Sequence, residues 1–130
     1  MTEKIFTESI VIHCAQQEVW DFITTIENWG KWYSEGLIDV TPDWEVGGTI
    51  NYVSGSKPAI SQIDPPNLLE WGKGTSLKLS EEAPSSTKVE YSNKVGGMFV
   101  EDPMLLMEYE NMFFDSAKNI LGKLKNLLES

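Results

Sequence analysis

The stretch from Asp102 to Leu128 constrains this chain most, because it reads as one long helix with a broad apolar stripe. Asp102-Pro103 opens it: the carboxylate can accept from free backbone N–H groups, and Pro at the first helical position loses no needed donor. No further Pro follows, and Gly122 is the only Gly. At about 100° per residue, Leu106, Tyr109, Phe113, Ala117, Ile120, Leu121, Leu124, Leu127 and Leu128 share one arc. Glu108, Asn111, Asp115, Lys118, Gly122, Lys125 and Glu129 fall opposite. So one-sided a helix requires a wide apolar partner, and the preceding sequence reads as β-structure able to supply it.

Lys4 to His13 has the pattern of a strand, with Phe6, Ile10 and Ile12 on one face and Ile5 and Val11 on the other. Gln16 to Thr24 reads as a short helix buried through Val19, Trp20 and Ile23. A second helical turn follows over Thr25 to Tyr33, with Gly30 expected as a left-handed stop. Six β segments come next: Leu37–Pro42, Gly48–Ser54, Lys57–Ile63, Leu68–Lys73, Ser76–Glu82 and Thr87–Val95. Short turn-forming stretches such as Ser54-Gly55-Ser56 and Asp64-Pro65-Pro66-Asn67 separate them, so they should pair antiparallel as a meander. Gly47-Gly48 and Gly96-Gly97 read as turn glycines and match no phosphate-binding fingerprint. In the last segment Thr87, Val89, Tyr91, Asn93 and Val95 alternate with Lys88, Glu90, Ser92 and Lys94, which points the first set inward.

With 130 residues, 41% of them hydrophobic, the chain is long enough for one domain over residues 1–130 with a single core. No apolar run approaches the roughly 20 residues of a spanning helix, and the N-terminus shows no hydrophobic signal core. The lone Cys14 suits a reducing cytoplasm. A net charge of −10, with ten positive residues that are all Lys, argues against nucleic acid and anionic membrane surfaces. Without Arg there is no bidentate clamp for phosphate or carboxylate.

Three stretches carry a likeness: Ile10–Phe22 (IVIHCAQQEVWDF), Trp29–Trp32 (WGKW) and Ile63–Trp71 (IDPPNLLEW). Thr87–Tyr91 and Leu121–Glu129 match more loosely. Together they make the chain resemble the START-like, or SRPBCC, superfamily of helix-grip proteins. That group includes polyketide cyclase-like proteins, plant pathogenesis-related ligand binders and activators of a heat-shock chaperone ATPase. Ala15 stands where many of these have Pro. The resemblance implies an α+β fold in which a curved antiparallel sheet of about seven strands wraps a long C-terminal helix. Two short helices would lie between strands 1 and 2, with a cavity between sheet and helix.

Such a cavity would bind a small hydrophobic or aromatic molecule through Trp32, Tyr52, Gln62, Trp71, Tyr91, Asn93, Met107, Glu110 and Phe114. The competing expectation is that the same large side chains fill the core. Glu110 is the sharpest polar signal, lying within the apolar arc beside Leu106, Phe113, Ala117 and Leu121. A carboxylate there is a candidate general acid/base or ligand anchor, unless it reaches water near the pocket mouth. Trp29, Trp32 and Tyr33 form either a lid or a packed corner. His13, the only histidine, falls on the face opposite Ile10 and Ile12, so a Ser-His-Asp or Cys-His arrangement has no support. Soft ligands are too few for zinc, and no cofactor is implied. Three functions follow: a small-molecule binder, a cyclase- or dehydratase-like enzyme using Glu110, and a module resembling the chaperone-ATPase activators. The oligomeric state stays open.

Overall fold

The computed structural model describes residues 3–33, 36–41, 43–72, 74–96 and 101–129. Strand β1 (Lys4–Ile12) leads through helices α1 (Gln16–Ile23) and α2 (Ile26–Trp32) into six strands. These are β2 (Leu37–Thr41), β3 (Thr49–Tyr52), β4 (Ile60–Asp64), β5 (Leu68–Trp71), β6 (Thr75–Ala83) and β7 (Ser86–Val95). Helix α3 (Pro103–Glu129) completes the order. Pro42 and Lys73, read above as strand ends, and Gly97, read as a turn glycine, lie outside the described residues.

Every pairing is antiparallel. Five strands follow the order β1-β7-β6-β5-β4, and β2 pairs with β3. The two groups join where Ile50 N–H donates to Pro58 O (2.9 Å) and Ile60 N–H to Gly48 O (2.7 Å). The result is the helix-grip arrangement, a curved sheet of five plus two strands with α3 packed against β1 and β7. The β1–β7 register sets Phe6 opposite Asn93 and Ile10 opposite Val89. Phe6 and Ile12 are buried, whereas Ile5 and Val11 face out, as the alternation requires. On β7, Thr87, Val89, Tyr91 and Val95 are likewise buried.

Helix α3 begins as its sequence predicts. Asp102 Oδ1 accepts from the backbone N–H groups of Met104 (3.0 Å) and Leu105 (3.3 Å), satisfying two donors that no helical carbonyl reaches. Its buried face is Phe113, Ala117, Ile120, Leu121 and Leu124, and each large apolar side chain removed from water contributes about 1.5–3 kcal/mol. The last turns are tied to the end of β1 by polar contacts. Lys125 Nζ donates to Val11 O (2.8 Å) and pairs with Glu129 (2.6 Å), which also accepts from His13 N–H (2.9 Å). Cys14 Sγ–H donates to Leu128 O (3.2 Å), and the fully buried Thr87 hydroxyl donates to Cys14 O (2.8 Å).

Helix α1 seats Val19, Trp20 and Ile23 in the core, and its first residue holds the far side of the sheet. The Gln16 carboxamide nitrogen lies 3.0 Å from Pro66 O, 2.8 Å from Asn67 Oδ1 and 3.2 Å from Leu79 O, so two protons serve three acceptors. Gly30 corrects an expectation. It is not a left-handed stop: α2 runs through it to Trp32, and its φ is not positive. Its smallness serves close approach, since a Cβ there would stand 3.2 Å from the Gly36 Cα.

Candidate functional site

The chain has four tyrosines, and all of them converge inside the grip. β7 carries Tyr91 inward, where its ring lies parallel to Phe113 of α3 (centroids 5.7 Å, planes 1° apart). The buried Tyr91 hydroxyl is hydrogen-bonded to that of Tyr33, which follows α2. Burial pushes the Tyr91 hydroxyl far above the ordinary tyrosine range, and the hydroxyls of Tyr33, Tyr52 and Tyr109 add to the shift. It therefore stays protonated and acts as a neutral hydrogen-bonding group rather than a base.

Two clefts flank this centre. The first, of about 240 Å³, is lined by Tyr33, Tyr52, Ser56, Pro58, Trp71, Gly72 and Thr75. Tyr33 stacks on Tyr52 (6.1 Å) and meets Trp71 edge-on (6.0 Å). Behind them Trp29 and Trp32 are fully buried, with ring centroids 4.7 Å apart. Among the described residues neither indole N–H has an acceptor. The second cleft, of about 180 Å³, lies between β7 and α3 and is lined by Asn93, Tyr109, Met112, Phe113 and Ser116. There Asn93 Nδ2–H donates to the Tyr109 hydroxyl (3.4 Å), while its buried Oδ1 has no donor among the described residues.

Of the residues expected at a site, Tyr52 and Trp71 line the first cleft, Asn93 lines the second, and Tyr91 lies at the centre. Trp32 stands behind the first cleft, sealed by Trp29 and Tyr33. Phe114 is half-buried against Phe6 and Phe113. Glu110 is half-buried, lines neither cleft, and makes no hydrogen bond or ion pair among the described residues. Met107 and Gln62 are exposed. For Gln62 the reason is a register shift between Ile60 and Gln62, which breaks the alternation from Ile60 and turns the carboxamide outward. Tyr33 and Tyr109 complete the set; Tyr33 read as a corner aromatic and Tyr109 as one more member of the apolar arc. The expected single hollow beneath the first half of α3 is occupied by the Tyr91–Phe113 stack, which leaves space on two sides instead.

Elsewhere, burial, aided by Glu18 and Glu129, pushes the Cys14 thiol up, away from thiolate chemistry. His13 is exposed with its Nδ1 3.3 Å from Ser86 Oγ. Among the described residues no cluster of His, Cys, Asp and Glu could hold a metal ion, and no helix is long and apolar enough to cross a membrane.

No family model matches the chain, and neither does any curated protein. Solved structures do match. A Mycobacterium smegmatis protein, Ms6760, superposes with a TM-score of 0.74 at 15% identity over 96% of this chain and 90% of its own. The Aha1 dimer from Colwellia psychrerythraea gives 0.66 at 19% identity, over 97% of this chain and 96% of its own. DynU16, a protein of the dynemicin biosynthetic locus, gives 0.71 at 14% identity, over 97% of this chain but 47% of its own length. The likeness is one of fold. It is compatible with a ligand-binding helix-grip domain and names no ligand.

Proposed function

We propose that this protein binds a small aromatic or apolar molecule bearing one or two hydrogen-bonding groups, in a cytoplasmic setting. The first cleft would hold it. The observation that carries this reading is the buried, neutral Tyr91–Tyr33 hydroxyl pair beside a cleft walled by Tyr52 and Trp71. Rings supply flat apolar contact, while hydroxyls of Tyr33, Tyr52, Ser56 and Thr75 can orient a ligand oxygen or nitrogen.

Size narrows the class. A cavity of about 150 Å³ is known to take benzene, so 240 Å³ suits one or two rings rather than a long acyl chain. Burying roughly 200 Å² of apolar ligand surface would contribute about 5 kcal/mol before ordering costs, a dissociation constant of about 0.2 mM, so tighter binding must come from the hydroxyls around the cleft. Among the described residues the walls of both clefts are aromatic, hydroxyl and amide groups, which suit binding.

The test is tryptophan emission during titration with phenols, indoles and short fatty acids. Trp71 lines the cleft and Trp29 sits 5.4 Å from it edge-on, so a bound ring should change emission saturably. Tyr52→Phe should weaken binding by about 1 kcal/mol, the worth of one hydrogen bond. If no compound alters emission or melting temperature, the reading fails.

A further inference from the structure

We propose that the first cleft selects its occupant by charge: it takes a neutral ring carrying an uncharged polar group, such as a phenol, amide or ketone, and excludes the corresponding anion. The inference rests on the binding reading above and adds the ionisation state of the ligand. Its basis is the wall. Among the described residues every side chain lining that cleft is uncharged. The inner walls, Tyr52 and Trp71, are 5% and 2% exposed, so a ring seated against them leaves water. A carboxylate or phenolate drawn to the same place would lose its hydration, and only a cation or several directed donors recover that loss. Aromatic faces present negative potential, and the hydroxyls around them bring no positive charge.

Two neighbours point the same way. The Tyr91 hydroxyl, bonded to Tyr33 at the edge of the cleft, is held protonated far above the ordinary tyrosine range, with burial the main cause. That surrounding disfavours an anion brought by a ligand for the same reason. Lys57 follows one wall residue and precedes another, but it is exposed, so its ammonium stays in water, where an ion pair contributes little. The net charge of −10 adds a field that repels anions from the molecule as a whole. An ammonium is not favoured either. Glu70, beside Trp71, alternates with the buried Leu69 and Trp71, and its carboxylate accepts from Ser61 Oγ–H (2.9 Å) on the outer face of the sheet.

Benzamide and benzoate, matched in size, can be titrated into the full chain at neutral pH while tryptophan emission is read. Benzamide should bind tighter on the order of tenfold or more, and Lys57→Gln should leave that preference as it is. A nitrophenol whose hydroxyl ionises near neutrality supplies a second readout: adding protein at its half-ionisation point should bleach the phenolate absorbance. Between about pH 6 and 9 the described walls do not titrate. The only histidine, His13, lies beside Ser86, at the opposite end of β7 from the Asn93 that pairs with Thr75. The bleaching therefore reports the ligand. Equal binding of the matched pair, tighter benzoate or a growing phenolate band overturns charge selection and leaves the binding reading standing. Benzoate binding that Lys57→Gln abolishes assigns the preference to a rim ion pair and overturns it likewise. Silence from all three compounds brings down this inference together with the reading beneath it.

Discussion

The two ends of α3 make opposite uses of polar groups. At the C-terminal end, the polar side chains nearest β1 find partners. Lys125, Glu129, Cys14 and Thr87 lace the helix to β1 and β7, around Leu121 and Leu124. Near the N-terminal half, hydroxyls crowd together, two indole N–H groups and one amide oxygen have no partner among the described residues, and clefts open on both sides. One end is a fastening, and the other retains hydrogen-bonding capacity that folding does not consume. The proposed binding site lies at the less fastened end.

The sharpest way to break that contrast is in the fastened core. Leu124→Ala empties a fully buried position and should cost about 2–5 kcal/mol, read as a drop in the chemical-denaturation midpoint. Aromatic-ligand emission changes should persist in whatever fraction stays folded. Next comes Thr87→Val, which keeps shape but leaves the Cys14 carbonyl without its donor; about 1–3 kcal/mol should be lost in the same assay.

Tyr91→Phe probes the other end. It should cost less stability than Thr87→Val yet weaken ligand response, because the group removed serves the cleft. Its pH signature has a definite sign. The folded-state value lies above the unfolded one, so the folded chain holds its proton where the unfolded chain releases it. Stability should therefore fall as pH rises above about 10, and Tyr91→Phe should flatten that alkaline loss in melting curves.

The smallest effect belongs to Glu129, which is exposed. Its hydrogen bond from Lys125, then that from His13 N–H, holds the carboxyl below the usual range. The stabilisation is present above the unfolded value and is lost as pH falls through the depressed one. Glu129→Gln should flatten the acid limb below about pH 4, its small cost showing at neutrality and vanishing in acid.

Periodicity made most of the fold legible beforehand. The arc on α3 and the inward set on β7 follow from spacing alone, and both are found, save that Leu127 of the arc is exposed. The site was harder to read. Gln62 lies beyond a one-residue register shift that no composition announces, and Gly30 resembles a stop until its neighbour Gly36 is seen. Met107 is apolar, but its wheel position falls well off the centre of the buried arc, so counting apolar residues misleads there. Glu110 lies inside that arc by angle but ahead of the buried stretch that starts at Phe113, and half-burial is the outcome. Tyr33 ends a helix, where neither period applies, and only tertiary contact joins it to Tyr91.

The Gln16 contact has a chemical corollary. Its nitrogen faces three oxygens, so a carboxylate in its place would meet the fixed carbonyls of Pro66 and Leu79 with no proton to share. Gln16→Glu should thus show itself as a loosening of α1 from the β4–β5 turn, read as faster amide exchange in α1.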